Sequence, residues 1–419
     1  MSLHRAAPLR RPFFTPGVFV LLGLLGVGLA FAAARFALGL GAVTHLSDQY
    51  PWGIWIAIDV ATGVALAAGG FTTAALVHIG HRNRYQTLVR PALLTALLGY
   101  TFVVLGLLVD LGRYYNVWHP IMPSMWSGHS VLFEVGMCVM AYLTVLYIEF
   151  LPIVVERFRG RVSLPGFLRA LDAPVEAVLR RLDRTLGRVL WVFIILGVVL
   201  STLHQSSLGA LMVLSRSKMS PLWWTPILPL LFLLSAIAVG YAMVIFESLI
   251  ASRSFRKPPE TAALSGMARF LPLLLFIYLS AKVIDLAVRG AAHHLLDGGA
   301  APLLFVLEIG AGVVAPLLML LSVQVRRSPS LLLATSALVI FGVVLNRINV
   351  FLVAYSPLYA SRPYLPSIGE IAVTVGLVSG LVLAYRWLVI MLPILPAEAD
   401  ASTGGSVAGG ADRGARAPT

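Results

Sequence analysis

Ten long apolar runs constrain this chain more than any other feature. They cover residues 17–38, 53–79, 91–111, 128–155, 189–211, 226–250, 267–288, 302–323, 331–353 and 369–392. Each matches the roughly 20 apolar residues needed to cross the hydrocarbon core of a bilayer. In that medium no water satisfies the backbone, so the runs are expected to be helices. A membrane barrel would show alternating segments of about ten residues, and none is present. Composition agrees: 59% of the 419 residues are hydrophobic and 12% charged, with a mean hydropathy of +0.90. A soluble domain of this size needs more polar residues to cover its surface. The fold class is therefore an all-α membrane protein with ten transmembrane helices.

The formal charge of +13 does not point to nucleic acid, because the basic residues sit in loops between apolar runs. There they report orientation. Of 31 Lys and Arg residues, 21 lie in the N-terminus, alternate loops and the tail, against five (Arg113, Arg216, Lys218, Arg289, Arg362) in the other loops. The positive-inside rule then places both termini in the cytoplasm. This divides the chain into a cytoplasmic N-terminus (1–16), a membrane domain (17–392) and a tail (393–419). The tail's Gly, Ala and Ser content predicts disorder. The one long cytoplasmic loop, 156–188, sets Leu171, Val175, Val178, Leu179 and Leu182 among Arg and Asp. That pattern predicts a basic amphipathic helix on the inner leaflet. Arg5, Arg10 and Arg11 before the first run, with Ala32-Ala33-Ala34 near its end, resemble a signal peptide. The run is longer than a signal core, so a retained helix is expected.

A faint repeat precedes runs two and six, as Tyr50-Pro-Trp52-Gly-Ile-Trp55 and Pro221-Leu-Trp223-Trp224-Thr-Pro226. Two four-helix bundles (runs two to five and six to nine) with two flanking helices would fit. Interfacial aromatic belts account for the same residues without duplication.

The outer loops carry the unusual sequence. Residues 110–134 hold Asp110, Arg113, Tyr114, Asn116, Trp118, His119, Trp126, His129 and Glu134 between two apolar runs. A plain connector needs none of these, and a pocket at one membrane surface is expected. Ionisable residues inside the runs add to the signal: Asp59, Glu149, His204, Lys282, Asp285, Glu308, Arg347 and Glu370. Each costs about 2.5–3.5 kcal/mol at a helix centre on insertion scales, so each needs a partner or water. Lys282 and Asp285, three apart, share a helix face and are candidates to pair. His129 and Glu134 are about 140° apart on a regular helix. They share a pocket only if it wraps the helix or if His129 precedes the first turn.

Three classes compete. A b-type cytochrome needs facing histidine pairs; His129 and His204 could hold one haem, whereas His78 and His81 have no histidine partner on another run. A transporter would place its polar groups near the midplane on broken helices, and few are there. A quinone-reactive subunit needs an apolar slot with His, Tyr or carboxylate groups and an external electron donor. The outer cluster supplies those side chains. With Cys138 as its single cysteine, the chain cannot hold a four-thiolate iron–sulfur cluster, so such a centre would belong to a partner.

Several stretches carry a family resemblance. They are Tyr50-Pro-Trp-Gly-Ile-Trp-Ile-Ala-Ile-Asp59, Ala67-Ala-Gly-Gly-Phe71, His204-Gln-Ser-Ser-Leu-Gly209, Asn346-Arg347-Ile-Asn-Val350 and Tyr364-Leu-Pro-Ser-Ile-Gly-Glu370. Together they resemble the NrfD/PsrC family of membrane subunits, and its HybB-type branch from periplasm-facing NiFe-hydrogenases in particular. The resemblance spans about Tyr50 to Trp387. It implies a haem-free subunit that exchanges electrons with menaquinone or ubiquinone near the periplasmic surface. It also implies a docked ferredoxin-like iron–sulfur subunit and a catalytic partner such as the hydrogenase large and small subunits. Polar chains through the bundles would carry protons. On chemistry and depth, helped by the resemblance around Asp59, the expected proton-handling residues are His129, Glu134, Asp110 and Asp59. Trp52, Tyr114, Trp126, His129 and His204 would bind the quinone. Glu149, Lys282, Asp285, Glu308, Arg347 and Glu370 are candidates for a proton path. Arg113, Arg216 and Lys218 would meet acidic residues of the partner, and His129→Ala is expected to abolish electron flow to quinone.

Overall fold

A computed structural model describes residues 6–9, 11–163, 165–360 and 363–396; residues 397–419, most of the expected disordered tail, lie outside it. Among the described residues, ten helices are long and apolar enough to cross a membrane. We number them α1 (Pro16–Leu38), α2 (Trp55–Ile79), α3 (Asn83–Asp110), α4 (Val131–Phe158), α5 (Gly166–Val213), α6 (Leu228–Ser254), α7 (Thr261–Val288), α8 (Ala300–Leu321), α9 (Pro329–Val353) and α10 (Ile368–Met391). All ten expected runs are present, most with ends displaced by a few residues, while α3 and α5 begin 8 and 23 residues before their apolar runs. The Ser130 side chain, for example, caps α4 by accepting from the Phe133 amide, so the helix begins three residues after the apolar run.

α2 to α5 close on one another as a four-helix ring, and α6 to α9 form a second. The rings meet where α6 packs against α2 and α5, and where α9 packs against the start of α2. α1 lies along α10, and the pair covers α3 and α2 on the outside of the first ring. An even number of crossings returns both ends to one face. There the Ala7 amide donates to the Leu395 carbonyl at 3.2 Å.

Small residues set the closest approaches. A Cβ at Gly312 of α8 would lie 2.2 Å from the Gly342 Cα of α9. Lipid gives apolar helices no hydrophobic drive to associate, so such backbone contact supplies much of their packing energy.

Two local departures were not expected. Four segments are wound as π-helix: Trp55–Thr62, Ala75–Ile79, Gly310–Val314 and Asn349–Val353. The loop expected to hold a separate surface helix instead feeds α5 directly. Asp172–Val213 is a single unbroken helix of 42 residues, about 63 Å long. That is twice the hydrocarbon thickness of about 30 Å, so roughly its first half extends past the hydrocarbon on the Arg-rich face. The Gly160 amide donates to the Glu176 carboxylate at 2.9 Å, and Arg159 pairs with Asp183, tying the end of α4 to this extension.

Candidate functional site

The first ring does not fill its own centre. At the end with the long aromatic loop, a cavity of about 480 Å³ opens between α2, α3, α4 and α5. Its wall is mostly aliphatic, from Ile56, Val60, Val103, Leu107, Val135 and Leu208 among others. Trp52, His204, Arg113, Asn116, His119 and Ser130 supply the aromatic and polar exceptions. A volume in the few-hundred Å³ range with sparse polar groups is typical of a small-molecule site.

His204 is the most informative of these. It is 1% exposed, the one buried histidine among the described residues. Its Nδ1 is hydrogen-bonded to the Tyr100 hydroxyl at 3.1 Å, and the Tyr100 ring packs edge-on against Tyr142 at 4.5 Å. The opposite nitrogen, Nε2, is buried with no partner. Buried polar atoms are rarely left unpaired. His204 also lines the cavity, so a residue with an unpaired nitrogen stands beside space for a ligand. Nearby, Gln205 donates to the Val64 carbonyl at 2.8 Å while its Oε1 also lacks a partner.

The other expected site residues are distributed around this cavity. Trp52 lines it and meets Phe351 edge-on at 6.4 Å. Glu134 does not line it. Its Oε1 accepts from Ser207 Oγ at 2.5 Å across the α4–α5 contact. His129 lies in the turn before α4 and is exposed, so it and Glu134 do not face one space. Trp126 is 52% exposed, with its indole donating to the Pro120 carbonyl at 2.8 Å. Tyr114 stacks edge-on with Phe36 at 4.8 Å, behind the loop that roofs the cavity.

Asp59 and Asp110 sit on the far side of α2 and α3, toward α1 and α10. Asp59 is buried and accepts from Thr374 Oγ1 at 2.7 Å. Asp110 interacts electrostatically with Glu370 and Arg35, and its buried Oδ1 has no hydrogen-bond partner. Arg35 is a residue that the sequence reading missed. It is 2% exposed. Its Nε donates to the Val109 carbonyl at 2.6 Å, its Nη2 donates to Leu111, and its guanidinium lies 5.0 Å from the Tyr114 ring centre. A cation on the last carbonyls of α3 complements the helix dipole and fixes the start of the loop. The available signal was a lone Arg near the end of the first apolar run. Tyr100 and Ser207, ordinary in sequence, carried no such signal.

Glu370 is a structural anchor. Its carboxylate accepts from Tyr364 at 2.5 Å, from the Ser367 amide at 2.8 Å and from the His45 amide at 3.1 Å, and it completes a capping box at the start of α10. Burial, and the hydrogen bond donated to that carboxylate, push the Tyr364 phenol well above its ordinary range, so it stays a donor. Glu149 packs at the other end of the first ring, where its carboxylate lies against Gly197 of α5.

The remaining charges belong to the second ring. Glu308 accepts from the Trp223 indole, Asn346 and Asn349, each at 2.8 Å. Arg347 donates to Asn346 Oδ1 at 2.6 Å and to Ser235 at 3.0 Å, and lies 3.6 Å over the Phe232 ring. The expected Lys282–Asp285 pair does not form. Asp285 pairs with Arg289 at 2.7 Å and accepts from Thr225 at 2.6 Å. Arg289 sits one turn beyond Asp285, where its fork reaches the carboxylate. Lys282 instead stands 5.3 Å from the Phe305 ring centre.

Comparison with known proteins agrees with this architecture. The family profile described as "Polysulphide reductase, NrfD" matches residues 42–357. A protein of Escherichia coli named "Probable Ni/Fe-hydrogenase 2 b-type cytochrome subunit" is 31% identical over 396 residues, covering 94% of this chain and 96% of that protein. The "Menaquinone reductase, integral membrane subunit" of Nitratidesulfovibrio vulgaris is 27% identical over 416 residues, covering 91% of each. A further protein of the same organism, without a functional name, is 37% identical over 398 residues, covering 93% of this chain and 97% of its own length. With ten apolar helices among the described residues and a family profile spanning eight of them, the chain is a multi-pass integral protein of the bacterial inner membrane and a member of the NrfD family.

Proposed function

We propose that this chain is the quinone-reactive membrane subunit of a respiratory oxidoreductase complex, and that the cavity beside His204 receives the quinone ring. The observation that carries the reading is His204 itself: buried, held at Nδ1 by Tyr100 and unpartnered at Nε2, on the wall of a largely apolar cavity of about 480 Å³. A quinone is a flat apolar ring with a carbonyl acceptor at each end, and a protonated Nε2 offers a donor to one of them.

Reduction adds two electrons and two protons to the ring, one proton on each carbonyl oxygen. The electrons come from an iron–sulfur partner docked on the loop-rich face, which on the charge distribution is the periplasmic one. His204, oriented by Tyr100, positions one carbonyl. His119 and Asn116 on the roof are placed to meet the other. The Glu134–Ser207 pair beside the cavity, and Asp59 and Asp110 behind it, are candidates to pass protons inward. The buried charges of the second ring are candidates for coupled proton movement. The name of the Escherichia coli relative favours a NiFe-hydrogenase as the catalytic partner.

That relative's name also mentions a b-type cytochrome. A bis-histidine haem does not fit the residues here. His204 is the one buried histidine among those described, its Nδ1 is engaged, and His119 and His129 stand on the roof and in the turn above.

The test is His204→Ala in the intact complex. The complex should still assemble and reduce an artificial one-electron dye from its donor, while quinone-dependent turnover falls about 100-fold, the lower range for loss of a positioned proton-transferring group. Unchanged quinone turnover would remove His204 from the site. A Soret band in the purified chain would return the cytochrome reading.

A further inference from the structure

The cavity is not sealed on its lipid side. Its wall crosses the contact between α3 and α4, taking in Val104 and Leu107 from one helix and Leu132, Gly136 and Met140 from the other. Leu132 is 60% exposed, and the other four are only partly buried, so these residues face both the cavity and the bilayer. Gly136 is the narrowest of them, and a Cβ built on it meets no atom within 4 Å. Below this level the two helices are joined again. Thr101 of α3 and Tyr147 of α4 share a hydrogen bond of 3.1 Å on the membrane-facing surface, where Tyr147 is 49% exposed. The result is an apolar cleft with a polar sill, continuous with the His204 cavity at one end and with lipid at the other.

We infer that this cleft, floored by Thr101–Tyr147 and kept open by Gly136, is the binding subsite for the isoprenoid tail of the quinone. The inference rests on the quinone reading above and deepens it. A long branched hydrocarbon chain has no polar group to satisfy, which matches a wall without one. Each CH₂ moved from water to such a wall is worth about fourfold in affinity; transfer from lipid gains far less, so the cleft acts by shape. A glycine there leaves width for a methyl-branched chain, and any side chain would narrow it. The same cleft could accept a phospholipid acyl chain; continuity with the ring cavity favours the quinone tail.

The test compares tailed menaquinone-4 with tail-less menadione in the intact complex. Gly136→Trp should lower the ratio of kcat/KM for menaquinone-4 over menadione by about tenfold or more, the ordinary cost of forcing extra atoms into a space that the tail needs. Menaquinone co-purifying with the complex should fall in parallel. Leu105→Trp, on the lipid-facing side of α3 and outside the cavity, should leave the ratio unchanged. Gly136→Leu gives the same comparison with a smaller side chain should the Trp variant fail to assemble. An unchanged ratio overturns the subsite. An equal loss for both quinones also overturns it, since the substitution would then obstruct the ring cavity and not a tail path. So does a loss of co-purified phospholipid at unchanged ratio, which assigns the cleft to lipid. Failure of the quinone reading itself looks different: His204→Ala would then leave turnover with both quinones intact.

Discussion

The two four-helix rings are built alike and used differently. The first encloses a cavity of about 480 Å³ with an orphaned histidine nitrogen on its wall. In the second, a void of about 20 Å³ is lined by Glu308, Asn346, Ser235 and Tyr278 among others, room for about one water. The first ring keeps its polar groups few and leaves some unsatisfied. The second concentrates charge and gives Glu308 three donors and Asp285 an arginine, though both oxygens of Glu247 lack a partner. The difference separates two reasons for a charge inside a membrane. One is to meet a guest, and the other is to pair with a neighbour. Chemistry involving a ligand is therefore expected in the first ring, and sensitivity of the fold in the second.

That contrast can be broken by substitution. The largest effect is expected from Glu308→Ala. It leaves the Trp223 indole and the Asn346 and Asn349 amides without their acceptor and removes a carboxylate that interacts electrostatically with buried Arg347 and Lys282, a loss that typically costs about 3–5 kcal/mol. Thermal unfolding in detergent should show the loss, and a variant as stable as the parent would mean that the second ring's network is not structural. Next comes His204→Phe, which fills the same space without the nitrogens. Its stability should drop by only about 1–3 kcal/mol for the stranded Tyr100 hydroxyl, while quinone turnover collapses. Trp52→Ala should raise KM for quinone by about tenfold through lost ring contact, worth about 1–1.5 kcal/mol, with assembly unaffected. The smallest effect is expected from His129→Ala. The sequence alone suggested abolition of electron flow. The exposed position of His129 outside the cavity wall now predicts less than about a threefold change, the ordinary range for a surface substitution. A large loss there would move the ligand up into the loop and dissolve the contrast between the two rings.

The sequence made the helices legible and the partners of buried groups much less so. Ten spans follow from hydropathy because each run answers to the bilayer alone. The pairing of α1 with α10 does not, since it depends on glycines such as Gly28 and Gly376, whose backbones approach closely across some 350 residues. His204 and Trp52 were visible as polar or aromatic residues in apolar context, and both line the cavity. Tyr114, Trp126 and His129 looked equally suitable. Whether a loop side chain turns inward is set by tertiary packing, here by Arg35 on the end of α3. Glu370 read as an ionisable residue in a membrane. Its role as a cap became visible only once Tyr364, Ser367 and the His45 amide were seen to converge on it.

The π-wound segments carry a consequence for how this chain tolerates change in length. A π turn holds one residue more than an α turn, and such bulges often mark functional positions. The widened turn absorbs that residue, so Trp52 stays on the cavity wall and the Trp55 indole keeps donating to the Glu370 carbonyl at 3.0 Å. Removing one residue from Trp55–Thr62 would let α2 relax to α geometry with little rotation of its flanks, whereas removing one from the regular α stretch Gly63–Leu66 would turn everything on its loop side by about 100°. The π turn thus acts as slack in the helix. Length variation within the family should concentrate there and avoid the regular turns beside it.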